Sequence, residues 1–218
     1  MTDRSPTPRV QRKRARNRQE IIAAARALLR QGGVDNVTLA AVAGALSLTK
    51  PALYHYFPSK EALLRNLTIR ILEDELDMVI AAVDQEPRDD RVLGVMIRAF
   101  YAHHIDRLDE FRAIYCQTQL YQNPVELIDQ GLLKQEINPR TRHLFDILES
   151  RLAGKSRGRV RRDKCRRLAY SAWLAALGLV TMLGVADAVQ DALTHSDQDL
   201  LDTLVDTFDS AATRLLGN

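Results

Sequence analysis

Cysteine is scarce in this chain, and its scarcity excludes two classes of protein. The 218 residues include two cysteines, Cys116 and Cys165, which lie far apart and form no C-x-x-C pair. A small disulfide-stapled secreted domain and a zinc-finger cluster are therefore excluded, and a chain of this length buries an adequate core without cross-links. The first residues also lack a secretory signal pattern. We therefore expect a protein of the reducing cytoplasm.

Strand patterns are lacking as well. Alternating runs rich in Val, Ile and Thr are absent, glycine and proline number 10 and 7, and long stretches of Ala, Leu, Arg, Glu and Asp dominate. This composition predicts an all-α fold of about nine helices. The predicted helices lie at about residues 12–31, 38–46, 49–57, 59–87, 89–107, 109–121, 125–152, 163–188 and 197–216, with Pro139 splitting the seventh.

Charge is distributed unevenly between the two ends of the chain. Residues 1–60 carry 11 Lys and Arg against 3 Asp and Glu, a balance of +8, whereas residues 61–218 carry −5. The basic end is typical of a surface that binds a polyanion. Residues 1–11 contain Pro6 and Pro8 without an apolar period, and we expect them to form a disordered arm.

Two short helices follow the first amphipathic helix. Gly32 and Gly33 provide a stop for the first helix, Thr38 and Thr49 stand at N-cap positions, and Pro51 falls in the first turn of the third helix. A short helix, a tight turn and a second short helix with outward polar side chains form the arrangement that inserts a recognition helix into the DNA major groove.

A longer pattern makes this hypothesis specific. From Gly33 to Leu64 the chain reads Gly-Val-x-x-Val-Thr-Leu-x-x-Val-Ala, then Leu-Ser-Leu-x-Lys-Pro-Ala-Leu-Tyr-x-Tyr-Phe-Pro-Ser-Lys-Glu-x-Leu-Leu. Over residues 12–65 it resembles the DNA-binding signature of the TetR/AcrR family of transcriptional regulators, named after the tetracycline repressor. One departure is Ser47, where the family usually has glycine, and a left-handed serine there costs about 1 kcal/mol.

The resemblance implies an arm at 1–11, a three-helix helix-turn-helix domain at 12–60, and a larger ligand-binding and dimerisation domain at 61–218. Thr38, Tyr54, Tyr56 and Lys60 match positions that usually touch phosphates, and Lys50, Pro51, Ala52 and His55 match positions that meet bases. The first turn of the third helix also faces base edges by its own geometry. The predicted DNA-binding set is Thr38, Thr49, Lys50, Pro51, Ala52, Tyr54, His55, Tyr56 and Lys60. The alternative is that the two tyrosines are packing aromatics and His55 is solvated.

Residues 168–186 carry no formal charge and are apolar on every face. Two interpretations compete, a short transmembrane span and a helix buried between subunits. The final helix favours the second, because its clean apolar stripe lies opposite an acidic face and needs a partner helix. We therefore predict a homodimer without membrane association. Separately, the basic segment Gly154–Arg167 is predicted to be a solvated loop. The predicted dimer interface comprises Trp173, Leu177, Leu201, Leu204, Val205, Phe208 and Leu215.

Polar aromatic side chains are dense within the apolar pattern of residues 96–121, which is typical of a ligand pocket with a few polar anchors. The predicted pocket residues are Met96, Phe100, Tyr101, His103, His104, Tyr115, Gln119 and Trp173. An ordinary core with satisfied polar tips is the alternative. Neither a metal site nor a cofactor is predicted, because adjacent helical residues such as His103 and His104 point about 100° apart.

The resemblance thus implies a cytoplasmic homodimer that represses transcription from a palindromic operator and is released by an unidentified small molecule. An activator, or a ligand-independent DNA-binding dimer of the same fold, is the alternative. We do not predict an enzyme, because no nucleophile–base pattern, glycine-rich phosphate loop or metal motif is found.

Overall fold

The computed structural model describes residues 8–116, 129–155, 158–189 and 195–217. Within these ranges all regular secondary structure is helical, which confirms the all-α prediction. The helices are α1 Pro8–Asn36, α2 Leu39–Ala45, α3 Lys50–Tyr56, α4 Lys60–Gln85, α5 Val92–His104, α6 Leu108–Phe111, α7 Gln130–Leu132, α8 Asn138–Ala153, α9 Arg159–Val189 and α10 Asp197–Leu216. A 3-10 turn at Asp89–Arg91 precedes α5, and π-helical turns at Arg112–Cys116 and Leu133–Ile137 follow α6 and α7.

Helices α2, α3 and α4 begin where the sequence places hydroxyl caps. The side-chain oxygens of Thr38, Thr49 and Ser59 each accept the backbone N–H three residues further on, at 3.0, 3.4 and 3.1 Å. Each bond satisfies one of the amide groups that a helix start leaves without a partner. The predicted helix starts in this region are therefore confirmed.

Two predicted irregular segments are helical instead. The prediction of an arm is wrong for residues 8–11, because α1 begins at Pro8, and residues 1–7 lie outside the described part of the chain. Proline fits the first helical turn, where its missing N–H has no acceptor. The loop predicted at Gly154–Arg167 is wrong from Arg159 onward, where α9 begins. Arg162 and Arg166 on this turn donate to the Glu149 carboxylate of α8 at 2.6 and 3.0 Å, which anchors the helix start.

Left-handed backbone marks two turns of the helix-turn-helix region. Helical geometry in α1 is interrupted at Gly32, and Gly33 has φ +72°, so the glycine pair ends the first helix proper as the sequence indicates. Ser47, in the turn between α2 and α3, has φ +53°. A serine therefore occupies the left-handed position that glycine adopts with less strain.

The chain divides into two compact units. The first contains residues up to Ile71 together with Asp109–Gln130, and the second contains Leu72–Leu108 together with the chain from Gly131 onward. This division differs from the predicted boundary at residue 60, because Leu63 and Leu67 of α4 are buried in the core of the first unit. Helix α4 thus contributes to both units.

The start of α5 is capped by a carboxylate from α10. Arg91, at the N-cap position, makes no side-chain cap bond, whereas Asp209 Oδ1 accepts the Gly94 N–H at 2.9 Å. A Cβ on Gly94 would lie 2.6 Å from Asp209 Oδ2 and 2.8 Å from a methyl carbon of Val205. Only glycine therefore allows this close approach of the two helices within the second unit.

Candidate nucleic-acid interface and ligand site

Helix α3 separates core side chains from outward side chains as the sequence predicts. Leu53 and Phe57 are fully buried, whereas Tyr54 is 51% exposed. The remaining outward residues of the helix and its cap are Thr49, Lys50, Pro51 and His55, with Ala52 half-buried. A polar face of about two helical turns is thus held out from the first unit, at the size that suits a major groove.

A cleft of about 400 Å³ lies beside this face. Thr38 at the start of α2, Lys50 at the start of α3, and Ser59 and Lys60 at the start of α4 all line it, together with Tyr54. Helix starts carry a partial positive charge, and two lysines add to it. Glu61 is the acidic member of the lining, and a hydrogen bond from Ser59 holds the pKa of its carboxyl below its usual range. The cleft offers hydroxyl, amide and ammonium donors of the kind that bind a phosphate.

Two residues of α1 brace the end of α3. Asn17 Nδ2 donates to the hydroxyl oxygen of Tyr56 at 2.8 Å. The Arg18 guanidinium lies over the Phe57 ring, 4.6 Å from its centroid, and donates to Asn66 Oδ1 at 2.7 Å. Arg18, although exposed, therefore links α1 to Phe57 and to α4 within the first unit.

A buried ion cluster ties α6 to α1 within the first unit. The Glu110 carboxylate has no exposed surface. Arg26 donates to both of its oxygens at 2.8 Å, and Arg30 donates to one of them through Nε. We call Arg26, Arg30 and Glu110 the carboxylate clasp. Burial alone would raise the pKa of Glu110, but the hydrogen bonds and charges of the two arginines outweigh it and hold that pKa below its usual range.

The second unit contains a buried acid–imidazole pair. His104 Nε2 lies 2.8 Å from Glu75 Oε2, and both side chains are about 1% exposed. Aromatic rings surround the pair, with the Phe100 ring 4.7 Å from His104 and the His103 ring 4.8 Å from it. A polar pair with apolar surroundings is the composition that ligand sites share.

The structure brings together part of the predicted pocket set. Met96 and Phe100 are fully buried in the second unit, and the Trp173 ring lies 5.0 Å from the Phe100 ring. Tyr101 is half-buried; burial, and then the nearby Asp197 and Asp106 charges, raise the pKa of its hydroxyl. The described contacts do not connect two further members to this group. Tyr115 packs on Phe111 at 5.0 Å in the first unit, and Gln119 lies outside the described residues.

Glu75 was missed by the sequence analysis, although a signal exists. Leu63, Leu67, Ile71, Val79 and Val83 follow a four-residue interval along α4, and all are buried. Glu75 occupies the missing position of that interval, where a carboxylate needs a polar partner in the core. A charged residue at a position where the helix pattern calls for an apolar one was therefore the sequence signal for this site.

Of the seven predicted dimer residues, two are buried in the protomer and five are half-buried. Leu201 and Val205 are buried in the protomer. Trp173, Leu177, Leu204, Phe208 and Leu215 are half-buried.

A different apolar stripe of α9 is exposed. Its members are Tyr170, Leu174, Met182 and Val185, of which Leu174 is 63% exposed. Their spacing places them on one helix face.

Helix α9 is also long and apolar enough to cross a membrane between Arg159 and Ala186, and 33% of its most apolar window is buried. Length and composition alone do not distinguish such a span from the core helix of a soluble protein.

Comparison with known proteins finds a family profile that matches part of the first unit. Residues 21–67 match the profile of bacterial regulatory proteins of the tetR family. A segment of 90 residues is 37% identical to an uncharacterised HTH-type transcriptional regulator of Mycobacterium tuberculosis and covers 40% of this chain. The aligned segment spans 41% of that protein.

Solved structures show the same fold over nearly the whole chain. The crystal structure of a regulatory protein has a TM-score of 0.68 and 17% identity, with 98% of this chain and 100% of that one covered. A variant of TetR from Acinetobacter baumannii AYE, in complex with minocycline, has a TM-score of 0.55 and 21% identity, and the match covers 89% of this chain and 95% of that one. FadR of Bacillus subtilis in complex with stearoyl-CoA has a TM-score of 0.59 and 16% identity, covering 88% and 97%.

Proposed function

We propose that this chain, whose residues 21–67 match the profile of bacterial regulatory proteins of the tetR family, is a cytoplasmic homodimer that represses transcription. It leaves its operator when a small molecule binds the second unit. The observation that carries the proposal is the polar face of α3 beside the cleft of about 400 Å³. Four DNA-binding side chains of the predicted set, Thr38, Lys50, Tyr54 and Lys60, line that cleft together.

DNA binding follows from this face. The first turn of α3, with Thr49, Lys50, Pro51 and Ala52, meets base edges, and His55 lies on the same outward side. Thr38, Tyr54, Tyr56 and Lys60 hold the phosphates. One such helix makes few base contacts, so a two-fold dimer on a pseudo-palindromic operator supplies the specificity.

The dimer is supported by the exposed stripe of α9. Several large apolar side chains exposed on one helix face mark a surface that a partner covers. A second copy of the chain meets it across a two-fold axis, and the half-buried Leu177, Leu204, Phe208 and Leu215 complete the interface as a four-helix packing.

The effector site is centred on Glu75 and His104. Phe100, Met96, Tyr101 and Trp173 supply its walls. Two proteins of this fold were solved in complex with minocycline and with stearoyl-CoA, which supports a small-molecule ligand for this chain. Glu75 lies on α4, the helix whose start carries Ser59 and Lys60. A ligand that repositions α4 therefore changes DNA affinity by its preference for one pose, typically about 1–3 kcal/mol.

The test of DNA binding is selection of bound genomic DNA with the purified protein, followed by gel shift on the recovered site. Wild type, Lys50→Ala with Tyr54→Ala, and Lys164→Ala are compared, the last removing an exposed lysine of α9. We expect a pseudo-palindromic site that the double variant no longer binds and the control binds as wild type does. A folded protein that enriches no sequence would refute the proposal.

The test of the effector site is a thermal-shift screen of small molecules. A ligand of the second unit raises the melting temperature by mass action and releases the recovered operator in the gel shift. Glu75→Gln is expected to keep operator binding and to lose release by that ligand. A ligand that releases DNA equally from wild type and Glu75→Gln would contradict the assignment of the site.

A further inference from the structure

Asn17 has no place in the DNA-binding set, yet it contacts one of its members. It lies on α1, half-buried, 39 residues before Tyr56 in the sequence. Its side-chain nitrogen donates to the Tyr56 hydroxyl oxygen at 2.8 Å. The bond therefore joins the basic part of α1 to the last turn of the proposed recognition helix.

The direction of this hydrogen bond decides what the hydroxyl can do. A tyrosine hydroxyl has one proton to donate and two lone pairs to accept. An amide NH₂ group can only donate, so the bond from Asn17 Nδ2 occupies a lone pair and leaves the hydroxyl proton for another acceptor. A phosphate oxygen offers only lone pairs. The amide thus matches the polarity that a phosphate contact requires.

The residues on either side of Tyr56 in the sequence make contacts of their own. The Phe57 side chain next to it is fully buried and lies under the Arg18 guanidinium. The His55 ring stands edge-on to the Tyr56 ring, with centroids 5.6 Å apart. Tyr56 itself is half-buried, so the His55 contact and the bond from Asn17 both restrict its side chain, and the bond directs the hydroxyl proton away from Asn17.

We propose that Asn17 is a positioning residue for DNA backbone contact, which orients the Tyr56 hydroxyl so that its proton is donated to an operator phosphate. This inference rests on the proposed DNA-binding function. It adds a residue of α1 that does not itself touch DNA. A fixed donor needs no reorientation on binding, which preserves more of the hydrogen bond's free energy.

The decisive substitution is Asn17→Asp, which keeps the shape and reverses the polarity. An aspartate carboxylate only accepts, so it takes the Tyr56 proton and withdraws it from the phosphate. Asn17→Asp is measured in the wild type and in a Tyr56→Phe background, where there is no hydroxyl and only the added charge acts. Dissociation constants for a duplex DNA of arbitrary sequence are determined by fluorescence anisotropy at low salt, and thermal melting shows that each variant is folded.

Tyr56→Phe is expected to weaken duplex binding roughly 10- to 100-fold, the range for a hydrogen bond to a charged group. Asn17→Ala is expected to weaken it roughly 3- to 10-fold and to have no further effect in the Tyr56→Phe background. Asn17→Asp is expected to weaken binding more in the protein that keeps Tyr56 than in the Tyr56→Phe background. The additional loss of affinity in the protein that keeps Tyr56 measures the hydrogen bond to phosphate that is lost when the introduced aspartate accepts the Tyr56 proton.

If the Asn17–Tyr56 bond only stabilises the fold, Asn17→Asp is not expected to weaken DNA binding more in the protein that keeps Tyr56 than in the Tyr56→Phe background. Asn17→Asp would still bond to the Tyr56 hydroxyl, and its effect in the protein that keeps Tyr56 would then equal or fall below its effect in the Tyr56→Phe background. That result overturns the inference while leaving the DNA-binding function intact. Wild-type protein that binds no duplex DNA at any salt concentration would overturn both.

Discussion

Neutralising Glu110 tests how much the carboxylate clasp contributes to the first unit. Glu110→Gln keeps the volume of the side chain but removes the charge that two arginines face. Arg26 is 17% exposed and Arg30 45% exposed. Removing one partner of a buried pair typically costs about 3–5 kcal/mol, because the remaining charge is left without compensation. Since Arg30 can turn to solvent, we expect a loss of about 2–4 kcal/mol here.

The assay is urea unfolding followed by circular dichroism, with Asp109→Asn as the matched control. Asp109 is the neighbouring carboxylate, and its bond to Arg112 is long, at 3.5 Å, with both side chains more than a third exposed. An exposed pair of this kind contributes about 0–1 kcal/mol. Glu110→Gln should also lower the melting temperature by roughly 4–16 °C, at about 2–4 °C per kcal/mol for a chain of this size.

The same unfolding measurement repeated at acid pH gives a second test. The pKa of Glu110 is lowered in the folded protein, so its contribution is fully present above the unfolded pKa of about 4.3 and is lost as the pH falls through the folded value. The stability difference between wild type and Glu110→Gln should therefore be constant near neutral pH and shrink in acid. A loss no greater than that of Asp109→Asn, or a difference that does not change with pH, would refute the reasoning.

Three further substitutions probe the turn, the helix contact and the exposed stripe. Ser47→Gly should raise the free energy of unfolding by up to about 1 kcal/mol, and with it the urea midpoint, because glycine relieves the left-handed strain. An unchanged midpoint would contradict this. Gly94→Ala should lose about 1–3 kcal/mol, since its Cβ meets Asp209, whereas Gly44→Ala, with open space around its Cβ, should lose nothing. Leu174→Glu should convert the proposed dimer to a monomer in light scattering without lowering helix content by circular dichroism. A dimer that persists would place the interface elsewhere.

The helix-turn-helix region could be predicted because its signals are local. Hydroxyl caps at Thr38, Thr49 and Ser59 act within one helical turn, and Leu53 and Phe57 are buried by the short period of α3 itself. Such patterns depend on residues three or four positions apart, which one sequence displays directly. The match of the family profile to residues 21–67 falls on the same stretch.

The second unit was less predictable because its decisive contacts are distant in sequence. Glu75 and His104 are separated by 29 residues, and nothing local pairs them. The basic turn at the start of α9 looked like a solvated loop because its partner, Glu149, lies on another helix. The apolar pattern around Tyr115 indicates that its side chain is covered, but it does not indicate whether the first or the second unit covers it. These misses arise where tertiary contacts decide the outcome.

The bond from Gly94 to Asp209 has a consequence for synthesis. During translation Gly94 is made 115 residues before its capping carboxylate. In that interval the Gly94 amide lacks its capping carboxylate, and a helix of 13 residues is marginal by itself in water. The contact between α5 and α10 therefore forms only after residue 209 has been made, and a chain released before that residue carries all of α5 without its cap.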